Sequence, residues 1–348
     1  MDRSLIITKG NNMLDRGVLL AGVGMSIPET VAVAQRAEAA GFDSVYCVEA
    51  YRNGLTMAAA IAAGTERIRI GPYVLNAFAR TPFATGLAAI DLDDLSGGRL
   101  MLGIGSGNRY LTEQWLGLTH EKPLAKMRDS VEIVRRMLHA SLGDSVVYKG
   151  TSHSINWSPS AAPFRPSAPV VMAGIFPKMR ALAGEIADGL AVGAVTSAAY
   201  VREVIRPAVF ESLERAGRDP ESFRFLITGM SAVDTDRERA RQALRATISG
   251  IFVAHPHPYY EFMLREQGFG KQLDRCLAEV AAGRIEAAAE TIDDDMIDQL
   301  AIGGTPAECA QQTAAYDGLV DEMIYTDVSG LIVDPDRAPL DAFDIPRE

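Results

Sequence analysis

The stretch GVLLAGVGMSIPETVAVAQRAEAAGFDSVYCV, residues 17–48, contains two apolar runs on either side of a segment with helical period. The runs at 17–24 and 44–48 have the length and composition of buried strands. Pro28 stands where a first helical residue is favoured, and Gly41 follows the helical run 29–40. The stretch therefore predicts a strand, a crossover helix and a parallel strand.

The same alternation recurs along the chain. Eight βα units account for most of the length, with two excess segments at 141–168 and 250–302. We predict a (β/α)8 TIM barrel in one domain, 1–348, with a hairpin in the first insertion and mostly helices in the second. The eight predicted strands are 17–24, 44–48, 67–75, 99–105, 169–174, 189–193, 224–230 and 322–327.

Composition excludes several classes of protein. The net charge of -11 disfavours nucleic acid and anionic membranes as partners. Three cysteines, far apart and without a C-x-x-C pair, indicate neither a disulfide framework nor a structural zinc site. No 18-residue apolar run and no signal-peptide pattern is present, so we expect a cytoplasmic enzyme acting on a small molecule.

In a TIM barrel the active site lies at the carboxyl ends of the strands. Polar residues that directly follow the predicted strands are therefore the first candidates. These are Glu49, Asn76, Arg80, Ser106, Asn108, Arg109, the turn 174–178 and Asp327.

Two loops could approach a ligand with their backbone. The stretch 103–108, GIGSGN, follows the fourth strand, but it lacks the last glycine of a dinucleotide fingerprint, and a simple tight turn is an open alternative. In the stretch 173–178, AGIFPK, a helix beginning near Pro177 would offer backbone N–H groups, and Lys178 a charge, to a phosphate. Alternatively, Lys178 is simply solvated.

The spacing of the candidate residues supports neither a hydrolytic site nor a metal site. No G-x-S-x-G motif surrounds Ser106, and the pair His255 and His257 lies between prolines in the second insertion, where lining a loop is the more common role. His139 near a helix end is expected at the surface, and the acidic run 293–295 is expected to begin a helix. With so few acids and bases, the barrel mouth favours a reaction whose difficult step belongs to a cofactor.

The chain resembles the luciferase-like barrel oxidoreductases that use flavin or coenzyme F420, and within them the methylenetetrahydromethanopterin reductase branch. The resemblance rests on several stretches in the same order along the chain. They are AEAAGFDSVYCVEA (37–50), AAIAAGTERIRIGPYVLNAFARTPF (59–83), DDLSGGRLMLGIGSGN (93–108), FPKMRALAGEIADG (176–189) and IGGTPAECAQ (302–311).

The resemblance implies a homodimeric barrel that binds F420, with FMN as the alternative cofactor. It places a non-prolyl cis peptide at Tyr73–Val74, in a bulge behind the cofactor ring. The residues implied around the ring are Glu49, Asn76, Gly105, Ser106, Gly107 and Asn108, and those implied at the tail are Gly174, Ile175 and Lys178. Arg80, Arg109, Lys178 and Arg180 would then offset the acidic tail.

Two departures from the family bear on the substrate. Relatives acting on sugar phosphates carry Asp-His after the second strand, where this chain has Glu49-Ala50, and a Glu of some relatives is Asn108 here. A sugar phosphate is therefore disfavoured. Glu49 is the candidate catalytic proton donor, with an ion pair to Arg52 or Arg80 as its alternative role.

The leading hypothesis is an F420-dependent oxidoreductase that transfers hydride between the deazaflavin C5 and a C=C, C=N or C=O group. An FMN-dependent monooxygenase is the alternative enzyme. A non-catalytic flavin or deazaflavin carrier is the alternative of another class.

Overall fold

The protein, described by a computed structural model over residues 14–165, 168–253 and 256–328, is built around a parallel sheet rolled into a barrel. All eight predicted strand positions are present, although several bounds differ. The strands are β1 (Asp15–Leu20), β2 (Ser44–Cys47), β3 (Arg69–Pro72), β4 (Leu75–Asn76), β5 (Leu102–Gly105), β6 (Val146–Lys149), β7 (Ser154–Trp157), β8 (Val170–Ala173), β9 (Gly189–Val192), β10 (Arg224–Val233), β11 (Ile302–Gly304) and β12 (Glu322–Asp327).

The sheet runs in the order β3-β2-β1-β12-β10-β9-β8-β5-β4, and every pair in it is parallel. β3 and β4 together form the third strand position. The Ile70 N–H donates to the Arg99 carbonyl at 3.1 Å, and the Met101 N–H donates to the Ile70 carbonyl at 2.9 Å. These bonds join β3 to the chain entering β5, so the eight positions form a ring. β11, which the sequence did not predict, pairs with the end of β10.

The predicted continuous strand 67–75 is wrong in one respect, because it is split at residues 73 and 74. The Tyr73–Val74 peptide bond is cis, as the resemblance implied. In β3, position 71 has room only for a glycine, because a Cβ there would lie 1.9 Å from the carbonyl oxygen of Met101 in the segment that enters β5.

Helices follow the strands and cover the outside of the barrel. Several begin at sequence signals that are plain in the chain: Ser26 and Glu29 form a capping box, and so do Thr305 and Glu308. The helices are α1 (Ile27–Ala39), α2 (Gly54–Gly64), α3 (Pro82–Leu95), α4 (Arg109–Gln114), α5 (Pro123–His139), α6 (Pro177–Ile186), α7 (Ala198–Tyr200), α8 (Arg206–Arg215), α9 (Arg237–Gly250), α10 (Pro258–Glu266), α11 (Gly270–Ala281), α12 (Ile285–Glu290), α13 (Asp294–Leu300) and α14 (Pro306–Ala314), with a π-helical turn at Val201–Ile205 and a 3-10 turn at Pro220–Ser222.

The amino-terminal end of the barrel is closed by a partly buried ionic cluster around the fully buried Glu322. The Oδ2 atom of Asp15 lies 2.7 Å from Nη2 of Arg69 and 2.8 Å from Nη2 of Arg224. The same two nitrogens lie 3.4 and 3.5 Å from Oε2 of the fully buried Glu322. Because buried charges are tolerated only when paired, this cluster serves the fold, and the opposite end of the barrel is left for a ligand.

Both insertions pack on the barrel. The first contains the predicted hairpin, β6–β7, which lies on α5. The second is mainly helical, as predicted, and its α9 packs against β10 and β11. Asp293 caps α13 as expected, while Asp294 in the first turn of that helix pairs with the buried Arg241 at 3.0 Å. The single-domain organisation remains a prediction.

No helix in the described ranges is both long enough and apolar enough to cross a membrane.

Candidate active site

A cavity of about 380 Å³ opens at the carboxyl ends of the barrel strands. Its wall contains ten of the eleven residues that the resemblance implies around the ring, in the bulge behind it and at the tail, and it does not contain Lys178 or the further candidates Arg80, Arg109, Arg180 and Asp327. The ten are Glu49, Tyr73, Val74, Asn76, Gly105, Ser106, Gly107, Asn108, Gly174 and Ile175. The strand-end rule and the resemblance thus select residues at the ends of four neighbouring strand positions, β2, β3–β4, β5 and β8, and these residues meet in space.

The base of the cavity is apolar and closely packed. Tyr73 lies in the barrel interior with its ring centroid 5.5 Å from that of Tyr46. Val74, the next residue, packs over Gly105, where an added Cβ would lie 2.6 Å from the Val74 Cγ2 atom and 3.1 Å from the Ala173 Cβ atom. A larger residue at 105 would therefore displace Val74.

Gly107 and Asn76 depend on one another. Gly107 has a φ of +65°, which favours glycine, and a Cβ there would lie 2.4 Å from Nδ2 of Asn76. The Asn76 side chain is fixed by its own loop, because its Oδ1 accepts a hydrogen bond from the Phe78 N–H at 2.8 Å. The loop after β5 therefore passes over an amide that is already in place.

The loop after β5 continues directly into α4. Asn108 is the N-cap of this helix, and its Oδ1 accepts from the Tyr110 N–H at 2.8 Å. The carbonyl of Ser106 lies 3.2 Å from Nε2 of His120, whose ring stacks on Phe78 at a centroid distance of 4.4 Å. Burial lowers the pKa of His120, although its hydrogen bonds oppose this effect. His120, isolated in the sequence, thus supports the cavity wall from behind.

Glu49 adopts the ion-pair role that was its alternative. Its Oε1 accepts from Nε of Arg80 at 3.0 Å, and its Oε2 lies 3.3 Å from the Asn76 N–H. The side chain is 14% exposed. Both carboxylate oxygens are engaged by donors, an arrangement that ties the ends of β2 and β4 together.

The loop after β8 places the first turn of α6 at the wall of the cavity. Phe176, the N-cap of α6, makes no side-chain capping bond, and both Phe176 and Met179 line the cavity. Lys178 lies exposed in the first turn and is not among the lining residues. Arg180 is buried and bonds to the Ile175 carbonyl at 2.6 Å and the Tyr200 hydroxyl at 2.8 Å, so it fixes this loop.

The second insertion supplies the part of the wall that strand ends could not predict. His257, Tyr259 and Tyr260 line the cavity. The Tyr259 hydroxyl accepts from the Arg109 N–H at 3.3 Å, across 150 residues of sequence. Of the H-x-H pair, His257 has the expected loop-lining place, and His255 lies outside the described residues. The histidine pair and the aromatic residues after Pro258 are the signals in the sequence for this wall.

Comparison with known proteins agrees with this geometry. Residues 4–322 match the family of luciferase-like monooxygenases, and the chain belongs to that family. The resemblance stated from the sequence is thereby confirmed.

Among its relatives is the 5,10-methylenetetrahydromethanopterin reductase of Archaeoglobus fulgidus, which is 31% identical over 284 residues, 79% of this chain and 82% of the relative. A putative coenzyme F420-dependent oxidoreductase of Mycobacterium tuberculosis is 29% identical over 299 residues, 81% of this chain and 85% of the relative.

The solved structure of the coenzyme F420-dependent tetrahydromethanopterin reductase from Methanopyrus kandleri superposes with a TM-score of 0.78 at 21% identity, covering 95% of this chain and 96% of that one. The predicted luciferase-like TIM barrel is confirmed by this likeness.

Proposed function

We propose that the protein is an F420-dependent oxidoreductase, which transfers hydride between the deazaflavin C5 and a C=C, C=N or C=O group of a small organic substrate. The names of its relatives support the cofactor and the reaction type. The observation that carries the proposal is the cavity itself, which combines an apolar base with few ionisable groups at the catalytic end of the barrel.

The cavity fits a tricyclic ring in size and chemistry. Small-molecule sites have volumes of about 300–1,000 Å³ and are mostly apolar with a few placed polar groups, and this cavity has about 380 Å³. Tyr73 and Val74 would lie under the ring. Its polar edge would face the side chains of Asn76, Ser106 and Asn108 and the backbone at Gly105 and Gly107. When bound, F420 supplies a two-electron hydride chemistry that the side chains of the cavity do not offer.

The tail of the cofactor would leave the ring toward α6. Gly174 and Ile175 give backbone without bulk beside the cavity, and the following helix presents its N-terminal N–H groups, where anions are favoured. Lys178 lies in the first turn of that helix and would meet the phosphate from solvent. Of the four cations first considered for the tail, Arg80 and Arg109 are paired with Glu49 and Glu113.

Glu49 is proposed to act in the site as a fixed carboxylate. Its bonds to Arg80 and to the Asn76 N–H hold β4 in place beneath the ring edge. Removing the charge would release Arg80 at the mouth and loosen Asn76, so we expect cofactor affinity to fall together with turnover.

We also propose a homodimer in the cytoplasm. Phe83, Leu87 and Leu95 on α3 are 41%, 38% and 52% exposed, and their spacing places them on one helix face. An exposed apolar helix face of this kind is typical of a surface that another protein covers. The cytoplasmic assignment is supported by Cys47, Cys276 and Cys309, which are free and buried.

The function is tested by titrating the apoprotein with F420 and with FMN and then measuring turnover and oxygen uptake. We expect F420 to bind, and reduced F420 to be oxidised by a carbonyl, imine or enone substrate without oxygen consumption. Tight FMN binding with oxygen-consuming turnover would instead identify a monooxygenase. Binding without turnover on any of these substrates would identify a carrier.

The tail contact is tested by Lys178→Ala, with Lys271→Ala on the exposed surface of the second insertion as the matched control. A solvent-exposed ion pair contributes about 0.2–1 kcal/mol, so the Kd of F420 should rise by up to about fivefold. A deazaflavin that lacks the phosphate should bind both variants as it binds the wild type. A loss of affinity for that truncated ligand would contradict the assignment of Lys178 to the tail.

A further inference from the structure

Two large aromatic side chains lie together on the surface beside the cavity. The ring centroids of Tyr51 and Trp115 are 5.7 Å apart, and the ring planes meet at 55°. The two residues are 67% and 50% exposed. They come from different parts of the barrel, since Tyr51 follows β2 and Trp115 is the C-cap of α4. We call this pair the aromatic shelf.

The aromatic shelf continues the wall of the cavity outward. Leu111 of α4 lines the cavity, and the Trp115 N–H donates to the Leu111 carbonyl at 2.8 Å. Residues four apart lie on the same face of a helix, about one turn from each other. On the other side, Tyr51 lies two residues after Glu49, which also lines the cavity. The shelf therefore begins where these two segments leave the cavity.

The helix that carries Trp115 is held in place by the strand ends and by the second insertion. Thr112, in the middle of α4, is fully buried, and its Oγ1 lies 3.4 Å from Nδ2 of Asn76. At the start of α4, the Arg109 N–H donates to the Tyr259 hydroxyl at 3.3 Å. Trp115 therefore has a defined position relative to the cavity although its ring faces solvent.

The surroundings of the aromatic shelf are apolar. Leu116 and Leu118, which follow Trp115, are exposed. The two charged residues of α4, Arg109 and Glu113, pair with each other at 2.8 Å. Exposed apolar side chains that adjoin a cavity are typical of a binding surface. The shelf therefore suits an uncharged group.

We infer that the aromatic shelf is a substrate subsite, which binds an uncharged aromatic group attached to the part of the substrate that exchanges hydride. This inference rests on the proposed function. With the cofactor ring at the base of the cavity, the reacting group of the substrate lies against that ring, and the rest of the substrate extends toward the mouth. There Tyr51 and Trp115 offer ring surface, and aromatic pairs gain stabilisation beyond that of the buried area.

Tyr51 and Trp115 are positioning residues, because they lie outside the cavity in which the reacting atoms meet. An interaction that is equally strong in the ground state and in the transition state lowers KM and leaves kcat unchanged. Loss of one aromatic contact should therefore raise the KM of an aryl-bearing substrate about 2- to 10-fold, with no change in kcat.

The test uses substrate pairs that share a reacting group and differ in a phenyl group on a two-carbon spacer. One pair is 4-phenylbutan-2-one and butan-2-one, and the other is 6-phenylhex-3-en-2-one and hex-3-en-2-one. With reduced F420, the wild type should have the lower KM for the phenyl member of a pair that it turns over. 4-Cyclohexylbutan-2-one separates an aromatic preference from a general apolar one, and its KM should exceed that of the phenyl ketone.

Trp115→Ala should remove most of the preference for the phenyl group. The KM of the phenyl member should rise about 2- to 10-fold, whereas the KM of the short member, every kcat and the Kd of F420 should stay at the wild-type values. Trp115→Phe should keep most of the preference. The matched control is Trp157→Ala, which changes the other tryptophan of the chain, in β7 and outside the cavity wall. It should leave the preference unchanged.

A binding measurement on the wild type keeps the inference open to refutation even if the variants do not fold or the ketones and enones do not react. In ¹⁵N-tryptophan NMR of the complex with oxidised F420, the Trp115 indole signal, assigned with Trp157→Ala, should shift when either phenyl compound is added. The signal should respond less to the short compounds, and the Trp157 signal should not respond.

Four results would overturn the inference. They are a phenyl preference that survives in Trp115→Ala, a cyclohexyl ketone that binds as well as the phenyl ketone, a Trp115 signal that responds to neither phenyl compound, and a lower molar mass in solution for Trp115→Ala. The last result would show that a second copy of the chain covers the shelf. Each of these results would leave the proposed function standing, whereas failure to bind F420 would remove both.

Discussion

Gly105→Ala adds a single methyl group at the base of the cavity, and its effect can be worked out from two distances. The new Cβ would lie 2.6 Å from Cγ2 of Val74 and 3.1 Å from Cβ of Ala173. Optimal contacts between carbon atoms are about 3.5–4.0 Å, so at least one neighbour must move by several tenths of an ångström. Val74 is β-branched and stiff at χ1, and the open space beside it is the cavity.

Overpacking of this kind costs about 1–3 kcal/mol. If the strain is relieved by moving Val74 into the space of the ring, the Kd of F420 should rise about 5- to 150-fold, since each 1.4 kcal/mol is a factor of ten. Spectrophotometric titration with F420 measures this change. Thermal unfolding of the ligand-free protein shows how much of the strain is kept in the fold instead.

The matched control is Gly250→Ala, because a Cβ at that position meets nothing within 4 Å. It should leave the Kd near the wild-type value and should not lower the midpoint of unfolding, since alanine is favoured over glycine in a helix. A Gly105→Ala protein with wild-type affinity and wild-type stability would refute the reasoning, since Val74 would then have room to move and the ring would not lie above it.

Two further predictions concern the fold. Gly71→Ala should leave little folded protein on expression at 37 °C, measured as the soluble yield and its circular dichroism, because its Cβ would lie 1.9 Å from the backbone oxygen of Met101, which cannot move without opening the ring of strands. Asp15→Asn should make the free energy of unfolding depend less on pH in the acid range. Burial alone would raise the pKa of Asp15, but Arg69 and Arg224 outweigh this effect and lower that pKa. The wild type therefore has the full stabilisation above the ordinary Asp pKa and loses it as the pH falls further. Urea unfolding at a series of pH values should show a difference between wild type and Asp15→Asn that shrinks on acidification, and a constant difference would contradict this account.

Much of the barrel could be predicted from the sequence because its signals are local. A short apolar run, a break and a helical period identify a βα unit within about 30 residues, as residues 17–48 illustrate. Pro177 gave the start of α6, and the acidic run at 293–295 gave the start of α13. The strand ends were less well placed: β1 ends at Leu20 rather than near residue 24, because strand length depends on pairing with β2 and β12.

The split of the third strand shows where local pattern stops being informative. Residues 67–75 read as one apolar strand, and only the resemblance to a family indicated a bulge at 73 and 74. The physical reason lies in the neighbouring strand β5. Residues 72–74 approach Gly103 and Gly105 so closely that no side chain would fit at either position. Two glycines at alternate positions are compatible with an ordinary flexible strand, so their purpose becomes visible only once the strands are paired.

The candidate site likewise contains residues that a local pattern could predict and residues that it could not. Glu49, Asn76 and Asn108 follow strands, and a general rule of barrel architecture was enough to find them. Their partners were not accessible to that rule: Arg80 satisfies Glu49 through a loop geometry, and Tyr259 reaches the Arg109 N–H from 150 residues away. The part of the wall farthest from the strand ends is therefore built by long-range packing of the second insertion, and we expect the substrate specificity to depend on that insertion.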